Sequence, residues 1–367
     1  MKIGITINLT QNFWANGLNQ NVKFIYDVFR RLGHEVYYIT KEKPNNNLSF
    51  NHKYMFFSDV INDESESFDV FILAGFEIHH KIIHKIKQRK KNCKVFLLQL
   101  GNKIMFDLRD LLHPPEGDEV STKTSEFGKL LDSIWISPHH EFGAEYIKVE
   151  YNNENVKVAP YVWDSHFIEN KIHELKKKGF NPFFKPETVN SVQIFESNQL
   201  INKHFLIPFC IAQKFETLFP NKLSKVNIYS TQRFRDNTFF TVHMSKFDIV
   251  KKQGLTFFNN RWCTLDALSK FGGVIVSHQY DNDLNYSHFE ALYMGLPLVH
   301  NSKTLMDEGY YYPDFNVDIG AKQLYNAILN HKDVHDEYMQ RGREFVAKYS
   351  PYQTSILNQY QLLLENK

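Results

Sequence analysis

The stretch from Gly273 to Val299 limits what this chain can fold into. Gly273-Val-Ile-Val-Ser277 reads as a buried strand and His278 to Tyr286 as a polar turn. Ser287–Met294 reads as a helix, and after Gly295 the segment Pro297–Asn301 reads as the next strand. Such a unit belongs to a parallel sheet with helices on its faces. In a doubly wound α/β domain the turn lies beyond the carboxyl ends of the strands, where nucleotides bind. Glu290 falls early in this helix. A carboxylate there can accept hydrogen bonds from two vicinal ribose hydroxyls, and free N–H groups at the helix start can hold a diphosphate. An ordinary helix ending at a Gly before a core strand gives the same spacing.

The rest of the chain repeats the βα pattern. Strands are expected at Lys2–Asn8, His34–Thr40, Phe68–Ala74, Lys94–Leu100 and Ser133–Ser137, with Asn155–Pro160 closing the sheet. The helix Asn16–Leu32 carries Val22, Ile25, Tyr26, Phe29 and Leu32 on one face and ends at Gly33. A basic helix runs from Glu77 to about Lys91. Residues 164–190, with a charged helix at Glu169–Lys178 and a turn-rich Gly179–Pro186, read as a connection between a first domain, 1–163, and a second, 191–350. The second series has strands at Val192–Phe195, Lys225–Tyr229, Leu255–Phe258, Gly273–Ser277 and Pro297–Asn301. Its helices fall near Lys203–Leu218, Thr264–Lys270, Ser287–Met294, Ala321–Asn330 and Val334–Lys348. A last helix is expected at Pro351–Glu365.

Composition removes several classes. With 367 residues and 43% apolar content, two packed domains are affordable. The 43 basic and 41 acidic residues leave a net charge of +2, which argues against a protein that coats nucleic acid with its whole surface. Cys93, Cys210 and Cys263 are far apart and form no CxxC pair, which suits a reducing compartment, and no segment has the roughly 18 apolar residues of a membrane span. A cytoplasmic location is expected. His79-His80, His139-His140 and His278 with His288 are the nearest approaches to a metal motif, but none has HExxH spacing or a nearby Cys. No resident metal or cofactor is expected. A P-loop and a dinucleotide fingerprint after the first strand are both missing.

A helical Glu ahead of a Gly-x-Pro segment, as in Glu290 to Pro297, resembles the nucleotide-sugar site of GT-B glycosyltransferases. Val276-Ser-His-Gln279, Leu284-Asn-Tyr286, Pro297-Leu-Val-His-Asn-Ser302 and Gly309-Tyr-Tyr-Tyr-Pro313 further resemble a GT-B-like group known as a domain of unknown function. Met1–Gln20, Leu100-Gly-Asn102 and Pro160-Tyr-Val-Trp-Asp164 fit as well. The resemblance implies two Rossmann-like domains facing a cleft, with the last helix, 351–367, packing back on the first domain, and transfer of a sugar from a nucleotide-diphosphate sugar, most readily a UDP-sugar, to a hydroxyl acceptor. It also implies a retaining, metal-independent reaction.

Within that resemblance Glu290 would hold the ribose. The helix start, with Asn285 or Ser287 as N-cap and Tyr286, Ser287 and His288 offering N–H groups, would hold the diphosphate together with Lys203. The partner Arg expected five residues before Lys203 is missing, since Ser197 and Asn198 stand there. Arg233, Arg235 or Arg261 are substitutes. The acidic residue expected eight positions before Glu290 is Asn282, with Asp283 next to it, and these two are the candidates facing the donor sugar. His278, Phe258 with Arg261, and Gly17 complete the donor set, with Phe258 and Arg261 beside the nucleobase. Trp14, Asn16, His79 and Asn102 are the acceptor-side candidates. The acceptor is expected to be a saccharide or another hydroxyl compound. DNA is less favoured; it is suggested by Lys81 to Lys94, a run with seven basic residues and no acidic one. A sugar-nucleotide epimerase and a non-catalytic sugar- or nucleotide-binding protein are the alternatives.

Overall fold

The computed structural model describes residues 1–9, 17–43, 52–76, 78–113, 125–251 and 254–366. The chain divides into two compact units, Met1–Asp164 with Tyr349–Lys367, and Ser165–Lys348.

In the first unit the described strands are β1 (Lys2–Thr6), β2 (Glu35–Thr40), β3 (Tyr54–Phe56), β4 (Val70–Leu73), β5 (Lys94–Gln99), β6 (Ser133–Ile136) and β7 (Val156–Val158). They form one parallel sheet in the order β3-β2-β1-β4-β5-β6-β7. Its helices are α1 (Gly17–Arg31), α2 (Phe57–Asn62), α3 (His80–Arg89), α4 (Lys103–Leu112), α5 (Ser125–Lys129) and α6 (Ala144–Tyr151). The apolar stripe of α1 is buried, and Gly33 ends the helix in the left-handed region at φ 82°.

The second unit begins with α7 (His166–Lys177) and continues β8 (Ser191–Ile194), α8 (Leu206–Leu218), β9 (Lys225–Ile228), α9 (Thr238–Met244), β10 (Leu255–Phe257) and α10 (Thr264–Phe271). Then follow β11 (Val274–Val276), α11 (Tyr286–Tyr293), β12 (Leu298–His300), β13 (Tyr310–Tyr311) and α12 (Val317–Ala347). This sheet is also parallel, in the order β10-β9-β8-β11-β12-β13. The fold is therefore two Rossmann-like α/β units. Val192, Ile194, Val226, Ile228, Val274 and Val276 from the strands pack with Phe205, Phe209 and Phe215 into its core.

Two differences from the sequence reading have physical causes. Residues 165–190 are part of the second unit rather than a free connection: Lys171 of α7 is buried and ion-paired at 2.9 Å to Asp266 of α10. The expected pair of helices after Ala321 is the single helix α12. Its buried His331 bridges the Gly295 carbonyl (3.0 Å) and the Tyr310 hydroxyl (3.1 Å), which locks the middle of the helix. The last helix, α13 (Thr354–Glu365), is grouped with the first unit, where Tyr360 packs edge-on against Phe29 of α1.

Candidate functional site

In a parallel sheet the chain winds outward in both directions from one central strand, and the loops after that strand and its later neighbour diverge. Ligands bind in the crevice this leaves. In the second unit the reversal falls between β8 and β11. The loop 195–205 follows β8, and the loop 277–285 follows β11.

These two loops are joined by a buried polar network that the sequence reading missed. Glu196 is 4% exposed. Its Oε1 accepts from the Ser277 hydroxyl at 2.5 Å and the His278 N–H at 3.1 Å, while its Oε2 accepts from Gln279 Nε2 at 2.7 Å. His288 Nε2 lies 2.8 Å from Ser277 Oγ, and Asn282 Nδ2 donates to Gln279 Oε1 at 2.7 Å. Asn301 clamps the backbone of Gln279 through its N–H (2.8 Å) and carbonyl (2.9 Å). Burial pushes the Glu196 carboxyl up to about 7, against the pull of its hydrogen bonds and of Lys203. The one sequence signal was a carboxylate immediately after a predicted parallel strand.

Lys203 lies before α8, in a tight turn rather than at the helix start. Asn198, at φ 56°, shapes that turn: its Nδ2 donates to the Tyr229 carbonyl (3.0 Å) and its Oδ1 accepts from Phe205 N–H (2.9 Å). The Lys203 side chain is half-buried, and its ammonium has no hydrogen-bond or ion-pair partner among the described residues. Burial lowers its pKa to about 8; the charge of Glu196 opposes this and that of Arg261 reinforces it. Glu290, on α11, is half-buried and hydrogen-bonded to Thr264. Burial raises its pKa to about 7, and the nearby Arg261 guanidinium limits the rise. Lys203 thus lies within the fields of Glu196 and Arg261, and Arg261 within that of Glu290.

Asn285 is the N-cap of α11, and its side chain accepts from Ser287 N–H at 3.1 Å. Its carbonyl accepts from His288 N–H at 3.0 Å. The N–H groups of Ser287 and His288, expected to face a diphosphate, therefore have acceptors inside the protein, and Tyr286 is 8% exposed. Asn282 is 3% exposed within the Glu196 network, whereas Asp283 is half-buried and accepts from Thr304 Oγ1 at 3.4 Å. Phe258 stands in a stack of rings at the ends of β8, β9 and β10. Phe195 and Tyr229 are 4.7 Å apart, and Tyr229 and Phe258 4.9 Å, with interplanar angles of 5° and 10°. Arg261 is exposed just beyond this stack.

The first-unit candidates are not gathered in the same way. Trp14 and Asn16 lie outside the described residues, and Gly17 opens α1. His79 and Asn102 are N-caps: His79 Nδ1 accepts from Lys81 N–H at 3.3 Å, and Asn102 Oδ1 from Met105 N–H at 3.2 Å. Helix α4 starts at Lys103, so Asn102 is used as its cap. The basic run is largely engaged. Lys87 pairs with Asp132 (2.7 Å), Lys90 with Asp69 (2.6 Å), Arg89 donates to the carbonyls of Val60 and Ile61, and Lys94 donates to the Leu364 carbonyl (3.0 Å). Among the described residues no His, Cys, Asp or Glu cluster is arranged to hold a metal ion, and no helix is long and apolar enough to cross a membrane.

The family model described as "Protein of unknown function (DUF2827)" matches residues 3–364. The chain belongs to this family. No curated protein sequence matches it. Solved structures of similar fold include TarM, a protein of S. aureus, at a TM-score of 0.61 and 12% identity over 99% of this chain and 98% of that one. An alpha-glucosyltransferase in complex with UDP-glucose and DNA containing an abasic site is similar at 0.58 and 13% identity, over 100% and 99% of the two chains. The T4 phage beta-glucosyltransferase is similar at 0.53 and 10% identity over 100% of both. At these identities the likeness is one of fold, that of GT-B glycosyltransferases.

Proposed function

We propose that this protein is a glycosyltransferase that moves a sugar from a nucleotide-diphosphate sugar to a hydroxyl acceptor. The observation that carries the reading is Lys203: a half-buried ammonium without a partner, at the point where the sheet order reverses, with Glu290 and Arg261 in its surroundings. A cation held out of water in this way is matched by an anionic ligand. The diphosphate would lie on Lys203, near the start of α11. Glu290 would accept the two ribose hydroxyls in its ionised form, which Arg261 favours against the effect of burial. Phe258 and Arg261 would border the base.

UDP is the preferred nucleotide, a choice supported by similar structures that contain UDP or UDP-glucose. In the reaction the bond from the sugar's anomeric carbon to the β-phosphate oxygen breaks and its electrons go to the diphosphate. The acceptor oxygen forms the new bond and its proton leaves to a phosphate oxygen. Positive side chains preorganised at the diphosphate stabilise the charge that develops there, so metal-independent transfer with retention is part of the proposal. Asp283, half-buried and next to Asn282, is the carboxylate proposed to face the sugar.

A saccharide or small hydroxyl acceptor is preferred to DNA, although two similar structures are DNA complexes. Four of the seven basic residues that suggested a polyanion, Lys87, Arg89, Lys90 and Lys94, are used to hold the first unit together. Calorimetry with UDP, followed by product analysis with UDP-sugars, tests the proposal. Sugar appearing on an added hydroxyl compound or on water supports transfer; conversion of one UDP-sugar into another identifies an epimerase. Failure to bind any nucleoside diphosphate rules the reading out.

A further inference from the structure

His278 is 4% exposed, and the proton positions around it follow from what each partner can do. Tyr312 Oη lies 3.0 Å from His278 Nδ1 and 3.0 Å from the Ser277 carbonyl oxygen. A carbonyl oxygen only accepts, so the single phenolic proton of Tyr312 goes to Ser277. The phenolic oxygen must then accept from Nδ1–H. Burial lowers the pKa of the ring to about 4, so at neutral pH it carries one proton. Nε2 is left as a lone pair, buried and without a partner. Such an atom needs a donor, and a fully ionised phosphate oxygen or a carboxylate is not one.

A second side chain nearby is in the same condition. Asn202 is 1% exposed, and neither its amide oxygen nor its amide nitrogen has a partner. Its backbone carbonyl accepts from Tyr280 N–H at 2.9 Å, which fixes it to the loop that carries His278 and sets it directly before Lys203. The Phe315 ring lies 4.5 Å from the His278 ring and 5.8 Å from that of Tyr280. Phe315 and Tyr280 are 53% and 43% exposed. A lone-pair acceptor, an amide that both gives and takes, and open aromatic faces beside a phosphate-type cation match the hydroxyls and C–H face of a sugar ring.

We propose that His278 and Asn202 read the sugar moiety of the donor, with a ring hydroxyl donating to His278 Nε2 once the half-exposed Phe315 ring that packs on it turns aside. The inference rests on the nucleotide-sugar reading above and makes the 277–280 loop the part of the site that tells sugars apart. A site built to bond a hydroxyl rejects an analogue lacking it far more strongly than an apolar pocket rejects one of the wrong size. Tyr312 is the positioning residue: without its hydroxyl, Nδ1 loses its acceptor and the ring proton is free to move to Nε2.

Calorimetry with UDP, UDP-glucose, UDP-galactose and UDP-N-acetylglucosamine tests this, with deoxy analogues of whichever sugar binds best. One neutral sugar should bind about tenfold or more tighter than UDP, and one deoxy analogue should lose that advantage; tenfold corresponds to about 1.4 kcal/mol. His278→Phe and Tyr312→Phe should each lose the advantage while keeping the affinity for UDP. Nitrogen-15 NMR of the histidine rings reads the tautomer independently of either variant and should show His278 protonated on Nδ1. A ring protonated on Nε2, or variants that still prefer the sugar to its deoxy analogues, overturns the inference and leaves the transferase reading standing. Wild-type protein that binds UDP but no UDP-sugar more tightly overturns it too. Loss of UDP binding altogether in the wild type removes both.

Discussion

The Ser277 hydroxyl donates to the Glu196 carboxylate at 2.5 Å, and this bond ties the end of β11 to the end of β8 at the reversal point of the second sheet. Three donors converge on that carboxylate. Glu196→Gln keeps the shape but turns one acceptor oxygen into a donor facing Gln279 Nε2. Either the two amides oppose each other or Gln279 flips and loses Asn282. An unsatisfied buried polar group costs about 1–3 kcal/mol. The variant should melt several degrees lower, measured by circular dichroism; an unchanged melting temperature would show that the network does not hold the loops.

Lys203→Ala should weaken UDP by about tenfold or more while leaving uridine nearly unchanged, because a charge-assisted bond to phosphate is worth roughly 1.5–3 kcal/mol and the nucleoside has no phosphate. Competition calorimetry with both ligands reads the difference. Equal losses for the two would move Lys203 away from the diphosphate.

Glu290→Gln should weaken UDP and uridine alike, since both carry the ribose hydroxyls. An amide oxygen accepts less strongly than a carboxylate, by about 1 kcal/mol. Stability should not fall, because removing a half-buried carboxylate also removes its desolvation cost. A parallel measurement with 2′-deoxyuridine diphosphate locates the contact: the wild type should discriminate against it and the variant should not.

The strands and the order of elements were legible because apolar runs in parallel sheets are near-continuous. The helix carrying Glu290, with Asn285 or Ser287 as its cap, followed from local chemistry, whereas Lys203 followed from the resemblance alone. What stayed hidden depended on contacts between distant segments. Glu196 and Gln279 meet only when β8 and β11 are neighbours, 83 positions apart in sequence. The tautomer of His278 depends on Tyr312, 34 positions on. The capping use of Asn102 depends on α4, a helix that was not among the expected elements. β13 has two residues, too few for any period to show.

The basic run offers a prediction opposite to the polyanion reading. Replacing Lys87, Arg89 and Lys90 with Gln removes two ion pairs and the bonds from Arg89 to two carbonyls. The first unit should melt lower by a few degrees, with partly exposed pairs contributing up to about 1 kcal/mol each. Gel-shift titrations at low salt should find no tight DNA binding by the wild type. Tight, salt-sensitive binding that these substitutions abolish would reinstate a polyanionic acceptor, because released counterions make such binding fall steeply with salt.

The pH dependence of UDP binding should be bell-shaped, and its two limbs have different owners. Glu290 has its carboxyl raised to about 7, so below that pH it is mostly protonated and a poorer acceptor for ribose hydroxyls; affinity should rise as pH increases through about 7. Lys203 has its ammonium lowered to about 8, so above that pH it is mostly neutral and a poorer partner for the diphosphate; affinity should fall through about 8. Calorimetry in buffers of different ionisation enthalpy should find proton release on the acid limb and uptake on the alkaline one. Stability without ligand follows a separate sign. Glu196 and Glu290 bind protons more tightly folded than unfolded, so their contribution is complete below the ordinary Glu value of 4.5 and is lost as pH rises through about 7. Lys203 acts the other way: the folded form binds its proton less tightly, so stability recovers as pH rises from about 8 towards 10.5. Glu290→Gln should therefore remove the acid limb of UDP binding and leave the alkaline limb in place. A variant that kept both limbs would assign the lower pKa to another group, with Glu196 the first to examine.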